Sequence, residues 1–223
     1  GFTFKWYTEL FSDGSIMESL YTTIIVAVIA SIISTVIGTI SAIAIHNMSP
    51  RKKAILTNLS YIPMVNPDIV IGISLLSFFS ILNLKLGYIT LILAHITFNI
   101  PYVIFAVLPK LQQLNPNIEE AALDLGATPI QAFFKVILPE IMPGIITGSL
   151  LAFTLSLDDF IVSFFTTGSG VSTLSIKVYS MTKRGISPKI NALSSLMFIA
   201  VLALMLLLQL RDAKNKSQSD NVR

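Results

Sequence analysis

Two adjacent carboxylates interrupt an apolar run. In FTLSLDDFIVSFF, Phe153 to Phe165, Asp158 and Asp159 stand among Phe, Leu, Ile and Val. At a bilayer centre each acid would cost about 2.5–3.5 kcal/mol on insertion scales. If the stretch continues as one helix, successive residues point about 100° apart, so the two acids cannot face one direction. Asp159 falls on the spacing Ser149, Ala152, Ser156, Asp159, Ser163, Thr166, a small-polar stripe of the kind that lines a water-filled path. Asp158 shares a shorter stripe with Thr147 and Thr154. Two readings follow. Either Asp159 faces a solute pathway, with Asp158 beside it or bonded to a neighbouring helix and Ser156 as a hydrogen-bonding companion. Or one acid caps a helix break or pairs with a base such as Lys177. Spacing alone leaves both open.

Other residues with chemical potential are sparse. Asp68, in NPDIV, follows Pro67 and either opens a helix segment as a first-turn acid or serves a solute path. Trp6, beside Tyr7, is an interfacial anchor or an aromatic contact for an incoming cation or a soluble protein. His95, Asn99 and Tyr102 share one helix face at i, i+4 and i+7, a spacing that suits hydrogen bonds between helices. The two histidines, His46 and His95, lie far apart without ligand partners, so no metal is expected, and His46 beside a basic loop reads as interfacial. Absence of cysteine excludes disulfides and thiol catalysis. There is no GxxxxGK[ST] phosphate loop, nucleophile elbow or HExxH pair, so neither a cofactor nor ATP hydrolysis by this chain is expected.

The elements that must hold these residues are membrane spans. Of 223 residues, 53% are hydrophobic and 12% charged, against roughly 25% charged in soluble domains. Mean hydropathy is +0.78, and the net charge of +3 with pI near 9.1 reflects bases flanking spans rather than nucleic-acid binding. Five apolar segments are each long enough to cross: about Leu20–Ile45, Leu59–Leu82, Leu86–Leu108, Ile141–Phe165 and Ala192–Leu210. Arg51, Lys52 and Lys53 in the first loop, and Arg211, Lys214, Lys216 and Arg223 after the last span, mark the cytoplasmic side. Nine of the 15 Lys and Arg then lie inside and six outside, four of these in the loop from Thr166 to Lys189. That loop, KVYSMTKRGISPKI, has the makings of a short helix around Ile176–Lys183. The expected division is an external segment 1–18, a transmembrane domain 19–210 with a cytoplasmic loop at 115–145, and a polar tail 211–223. Asp68 would lie towards the cytoplasmic end of its span and the Asp158–Asp159 pair in the outer half of theirs.

The inside loop NPNIEEAALDLGATPIQAFFKVILPEIMPGI carries explicit local instructions. Asn117 with Glu120 fits a reciprocal cap for a helix through Leu125, and Gly126 stops it. Thr128, Pro129 and Gln131 repeat the logic for a second helix, expected to end before Pro139. Glu120-Ala121-Ala122, then Gly126, then Val136-Ile137-Leu138-Pro139 resembles the EAA loop of ATP-binding-cassette importer permeases. With NPDIVIGISLL, LGYITLILAHITFNIPYVI, FTLSLDDF and KVYSMTKRGISPKINAL, the chain up to its tail is similar to the C-type permease subunits of bacterial spermidine/putrescine importers.

That resemblance implies an all-α, polytopic helical bundle of the type I importer permease kind in the bacterial inner membrane. It assigns Glu120, Ala121, Ala122 and Gly126 to a coupling helix seated on a cytoplasmic ATPase. Asp158, Asp159, Ser156, Asp68 and Trp6 are implied in a polyamine pathway. The implied partners are a second permease subunit, two ATPase subunits and an external polyamine-binding protein; a further span is expected before Gly1. Rival readings are an importer permease for another small solute, a secondary carrier or channel using its acids to couple protons or sodium, and a non-transporting membrane scaffold.

Overall fold

The computed structural model describes residues 5–185, 188–199 and 202. Among them every regular element is helical: α1 (Lys5–Phe11), α2 (Gly14–His46), α3 (Pro50–Val65), α4 (Asp68–Ile81), α5 (Tyr88–Gln113), α6 (Ile118–Asp124), α7 (Pro129–Ala132), α8 (Leu138–Asp158), α9 (Ile161–Thr166) and α10 (Leu174–Arg184). A π-helical turn, Phe133–Ile137, joins α7 to α8. Two compact units emerge, one of residues 1–18 with 177–223 and one of residues 19–176.

In the first unit α1 and the start of α2 meet the helical run over 188–199. Tyr7 and Ser195 share a hydrogen bond of 3.0 Å. Lys189 lies 3.7 Å from Glu9 and 3.8 Å from Asp13. Asp13 is the N-cap of α2: its Oδ1 accepts the Ser15 N–H at 3.2 Å and the Ser15 hydroxyl at 2.7 Å. This cap starts α2 at Gly14, ahead of the expected Leu20. The expected last span from Ala192 lies mostly outside the described residues, and the tail 211–223 lies wholly outside them.

The second unit is built around α5. It packs along α8 and also touches α3, α4 and α9. Val103, Ile104, Val107, Leu108 and Leu111 of α5 form a core with Ala42 and Ile45 of α2 and Ile141 and Ala152 of α8. The α5–α8 seam is close because Gly148 is small: a Cβ there would sit 3.1 Å from Val103 Cα and 3.2 Å from Ala106 Cβ. α2 turns its small polar residues inward and its bulk outward. Ser19, Thr22, Thr23, Ser31 and Ser34 are buried, while Ile25, Ile32, Val36 and Ile40 are exposed. That inversion is the membrane pattern, where lipid accepts aliphatic surface and small residues let helices approach. Among the described residues three helical runs are long and apolar enough to cross a membrane, Gly14–His46, Tyr88–Gln113 and Pro129–Asp158; α3 with α4 makes a fourth if that bent pair is one span.

Three expectations fail here. The second span is broken, not continuous: α3 and α4 are bent by 103° at Asn66-Pro67. Pro67 has no N–H and forces Asn66 into extended backbone, ψ 142°, so α3 ends and Pro67 starts α4. Arg51, Lys52 and Lys53 belong to the first turn of α3, which Pro50 opens, rather than to a loop. The helix begun at Pro129 does not stop before Pro139. The π turn, closed by the Leu138 N–H on the Phe133 carbonyl, lets the chain pass Pro139 within one 30-residue run ending at Asp158.

Candidate functional site: an acid-lined cavity at two helix breaks

The fourth span also breaks, and it does so at the aspartates. α8 ends at Asp158, Asp159 takes φ −59° and ψ 126°, and α9 starts at Ile161. The Asp159 carboxylate caps the new helix: Oδ1 accepts the Val162 N–H at 3.2 Å and Oδ2 the Ser163 N–H at 2.7 Å. Capping, the bland alternative for these acids, is therefore one of Asp159's functions. Asp158 has no such bond from its carboxylate among the described residues and is the more exposed of the two.

Both breaks open onto one cavity of about 430 Å³, lined by Pro63, Asp68, Ile71, Phe98, Tyr102, Leu155, Asp158, Asp159, Phe160, Ile161 and Val162. Three carboxylates thus converge, two from the α8–α9 break and one from the first turn of α4. Sequence spacing had put Asp68 and the pair towards opposite ends of the membrane. The correction comes from α3, whose 16 residues carry the chain about 24 Å from the basic end before the turn. A cavity of this size falls within the range of small-ligand sites, about 300–1,000 Å³. Lined by three acids together with Phe98, Tyr102 and Phe160, it suits a flexible organic cation: ammonium groups for the carboxylates, aromatic faces for both charge and methylenes.

The small-polar stripe is not a water path. Ala152, Ser156, Ser163 and Thr166 are all buried, and they face α5. Asn99 Nδ2 donates to Ser156 Oγ at 2.8 Å, His95 Nε2 lies 3.0 Å from Ser163 Oγ, and the Thr90 hydroxyl donates to the Thr166 carbonyl at 2.8 Å. Small residues allow the close approach and hydroxyls tie the helices together, a packing use that periodicity cannot distinguish from a wet one. Ser156 therefore stands behind the site, bonded to Asn99 and absent from the lining. His95 and Asn99 form interhelical hydrogen bonds as their spacing suggested, whereas Tyr102 from the same stripe lines the cavity. Phe98 and Phe160 were missed because an aromatic in an apolar span carries no mark of what it faces. Trp6 sits on α1 in the first unit, with Lys5 Nζ 5.9 Å from its ring centre. Among the described residues no His, Cys, Asp and Glu cluster could hold a metal ion.

A second candidate surface is the α6–α7 loop. Gly126 has φ +86°, and the Gly126 and Ala127 N–H groups return to the Leu123 and Ala122 carbonyls at 2.8 and 3.1 Å, closing α6 as the sequence implies. Thr128 and Gln131 form the reciprocal cap of α7 at 3.3 and 3.1 Å. Asn117 makes no side-chain cap; Asn115 instead accepts the Asn117 N–H at 3.0 Å, pre-forming the turn one step earlier. Ala122 is buried, and Glu120 and Ala121 are exposed. Sequence reading missed how apolar the exposed surface is: Leu125 is 90% exposed, Ile130 72% and Phe134 59%. Their bulk beside a rigid turn was the available signal, since monomeric surfaces rarely gather three large apolar side chains without a partner.

Comparison with known proteins gives the family. The family model for the binding-protein-dependent transport system inner membrane component matches residues 34–213. The spermidine/putrescine transport system permease protein PotC of Haemophilus influenzae is 37% identical over 215 residues, covering 96% of this chain and 84% of that one. PotC of Escherichia coli K12 is 38% identical over 225 residues, covering 100% and 85%. The putrescine transport system permease protein PotI of the same strain is 39% identical over 208 residues, covering 90% and 74%. An amino acid ABC transporter, crystallised with histidines, superposes with a TM-score of 0.66 over 92% of this chain and 93% of its own; at 18% identity it shows the shared fold alone. An all-helical chain with broken apolar spans and an EAA-type loop, matched over most of its length, belongs to the family of binding-protein-dependent transport system inner membrane components, as a transport subunit and not an enzyme.

Proposed function

We propose that this chain is the permease subunit of an ATP-driven importer that carries polyamines into the cell, with residues 19–210 as its transmembrane domain. One observation carries the reading: Asp68, Asp158 and Asp159 meet in a single cavity walled by aromatic rings. Three like charges in one cavity favour a ligand of several positive charges. The names of the relatives, which speak of spermidine and putrescine, agree with that chemistry. The site is half of a pathway whose other half belongs to a second permease subunit. An external polyamine-binding protein delivers the substrate, and two cytoplasmic ATPase subunits power the cycle.

Coupling runs along one element. Leu125, Ile130 and Phe134, with Glu120, Ala121, Ala122 and Gly126, form the face that seats in the ATPase. From Pro129 the helix continues unbroken to Asp158, 30 residues on. A displacement of the loop by ATP-driven closure therefore moves the acids themselves.

The test is uptake of radiolabelled spermidine and putrescine by the full transport system. Asp158→Asn and Asp68→Asn should each lower the maximal rate about tenfold or more, the scale of a lost charged hydrogen bond. Transporter amount and ATPase association should stay at wild-type levels. Undiminished uptake in both variants would remove the acid cavity from the pathway.

A further inference from the structure

We propose that His95 is a positioning residue for Asp159, fixing through Ser163 the helix turn that the Asp159 carboxylate caps at the α8–α9 break; this rests on reading that cavity as the polyamine site. His95 is the eighth residue of α5 and is fully buried, 0% exposed. Its ring centre is 5.2 Å from that of Phe98, a lining residue of the cavity. Its Nε2 is 3.0 Å from the Ser163 hydroxyl and 3.6 Å from Asp159 Oδ2. The same Oδ2 accepts the Ser163 N–H at 2.7 Å. One imidazole edge thus meets both the capping carboxylate and the first turn of the helix that it caps.

The chemistry of the ring says which way this contact runs. Nδ1 is buried without a hydrogen-bond partner among the described residues. A buried donor left without an acceptor is costlier than an empty acceptor, so the neutral ring carries its proton on Nε2. His95 therefore donates its N–H to the Ser163 hydroxyl, with Asp159 Oδ2 3.6 Å away, beyond hydrogen-bond reach. Burying a polar ring in an apolar helix seam is unfavourable unless that N–H is used.

Asp159 needs such a fixture because its two functions compete. Its oxygens already serve the Val162 and Ser163 amides, which they satisfy through rotation about the side-chain bonds. The carboxylate shares its cavity with Asp158 and Asp68, and a ring that fixes the Ser163 turn from behind keeps the cap, and with it the carboxylate, in one orientation. Ser163 is the point of contact, tying ring and cap together. His95 touches no substrate in this scheme and acts through Asp159.

The experiment is putrescine uptake by the complete importer in proteoliposomes, with ATP hydrolysis followed in parallel. His95→Leu should lower the maximal rate about tenfold, as for one lost buried hydrogen bond, that to Ser163. The half-saturating concentration, set by the binding protein's capture, should not move. His95→Gln, whose amide nitrogen reaches nearly the place of Nε2, should recover most of the rate, and the shorter His95→Asn should not. In an Asp159→Asn background, His95→Leu should add nothing, because the two residues act as one. Effects that multiply, or Gln and Asn variants that behave alike, would make His95 a packing residue while leaving the cavity reading intact. An Asp159→Asn variant with wild-type uptake would overturn both. Should His95→Leu fail to assemble, the Gln and Asn pair decides by itself.

Discussion

Asp159 caps α9 and lines the cavity with the same carboxylate, and the two aspartates are not equivalent. Asp159 is held by two backbone amides, whereas Asp158, one residue earlier, ends its helix with its side chain in the open. Sequence showed that two acids were present and that both capping and substrate roles were possible; it favoured Asp159 for the pathway because of a stripe that proves to be packing. A third aspartate illustrates capping without a ligand. Asp13 bonds the Ser15 hydroxyl and amide and faces Lys189, and the Ser15 hydroxyl foremost holds its carboxyl below the ordinary value of 3.8. A depressed carboxylate stabilises the fold above the unfolded value and loses that contribution as pH falls through the folded one. Asp13→Asn should therefore lower the melting temperature at pH 7, by the equivalent of about 1 kcal/mol or less for so exposed a group. Melting curves at stepwise lower pH should show the gap between variant and wild type closing below pH 3.8, the usual aspartate value.

At the scale of elements, the site exists because two spans break. Proline alone does not announce this. Pro63, Pro101, Pro109 and Pro143 all lie inside helices, whereas at Asn66-Pro67 the chain turns within an apolar stretch. Hydropathy measures apolar length and is blind to direction, so the stretch from Leu59 to Leu82 reads as one span. The α5–α8 seam supports both breaks. Two of its glycines mark close approaches: at Gly144 a Cβ would lie 2.8 Å from the Ala106 carbonyl, and at Gly148 3.1 Å from Val103 Cα. Gly148→Leu should force these helices apart and destabilise the protein by about 1–3 kcal/mol, as overpacking does. Fluorescence-detected size exclusion after heating should register the loss. Uptake should fall with it, since Asn99–Ser156 and His95–Ser163 span the same seam.

For the whole molecule, the α6–α7 loop and the cavity stand at the two ends of one helical run. Leu125 is the most exposed of the large apolar side chains there and has almost no intramolecular packing to lose. Leu125→Asp should leave melting unchanged within about 0.5 kcal/mol. It should nonetheless abolish co-purification of the ATPase subunits and ATP-driven uptake, which pull-down and transport assays would read together. Composition and motif determined a good deal unaided. Apolar run lengths dictate a helical membrane protein, because only internally bonded backbone crosses lipid. The Gly126 stop and the Thr128–Gln131 cap are local bonds, legible wherever the residues stand at the right spacing. Tertiary structure decided the rest. That α3 and α4 turn by 103°, that Asp68 joins Asp158 and Asp159, and that a polar stripe is dry depend on which helix lies opposite. Those contacts join residues far apart in the chain, and spacing along one helix holds no information about the face of another.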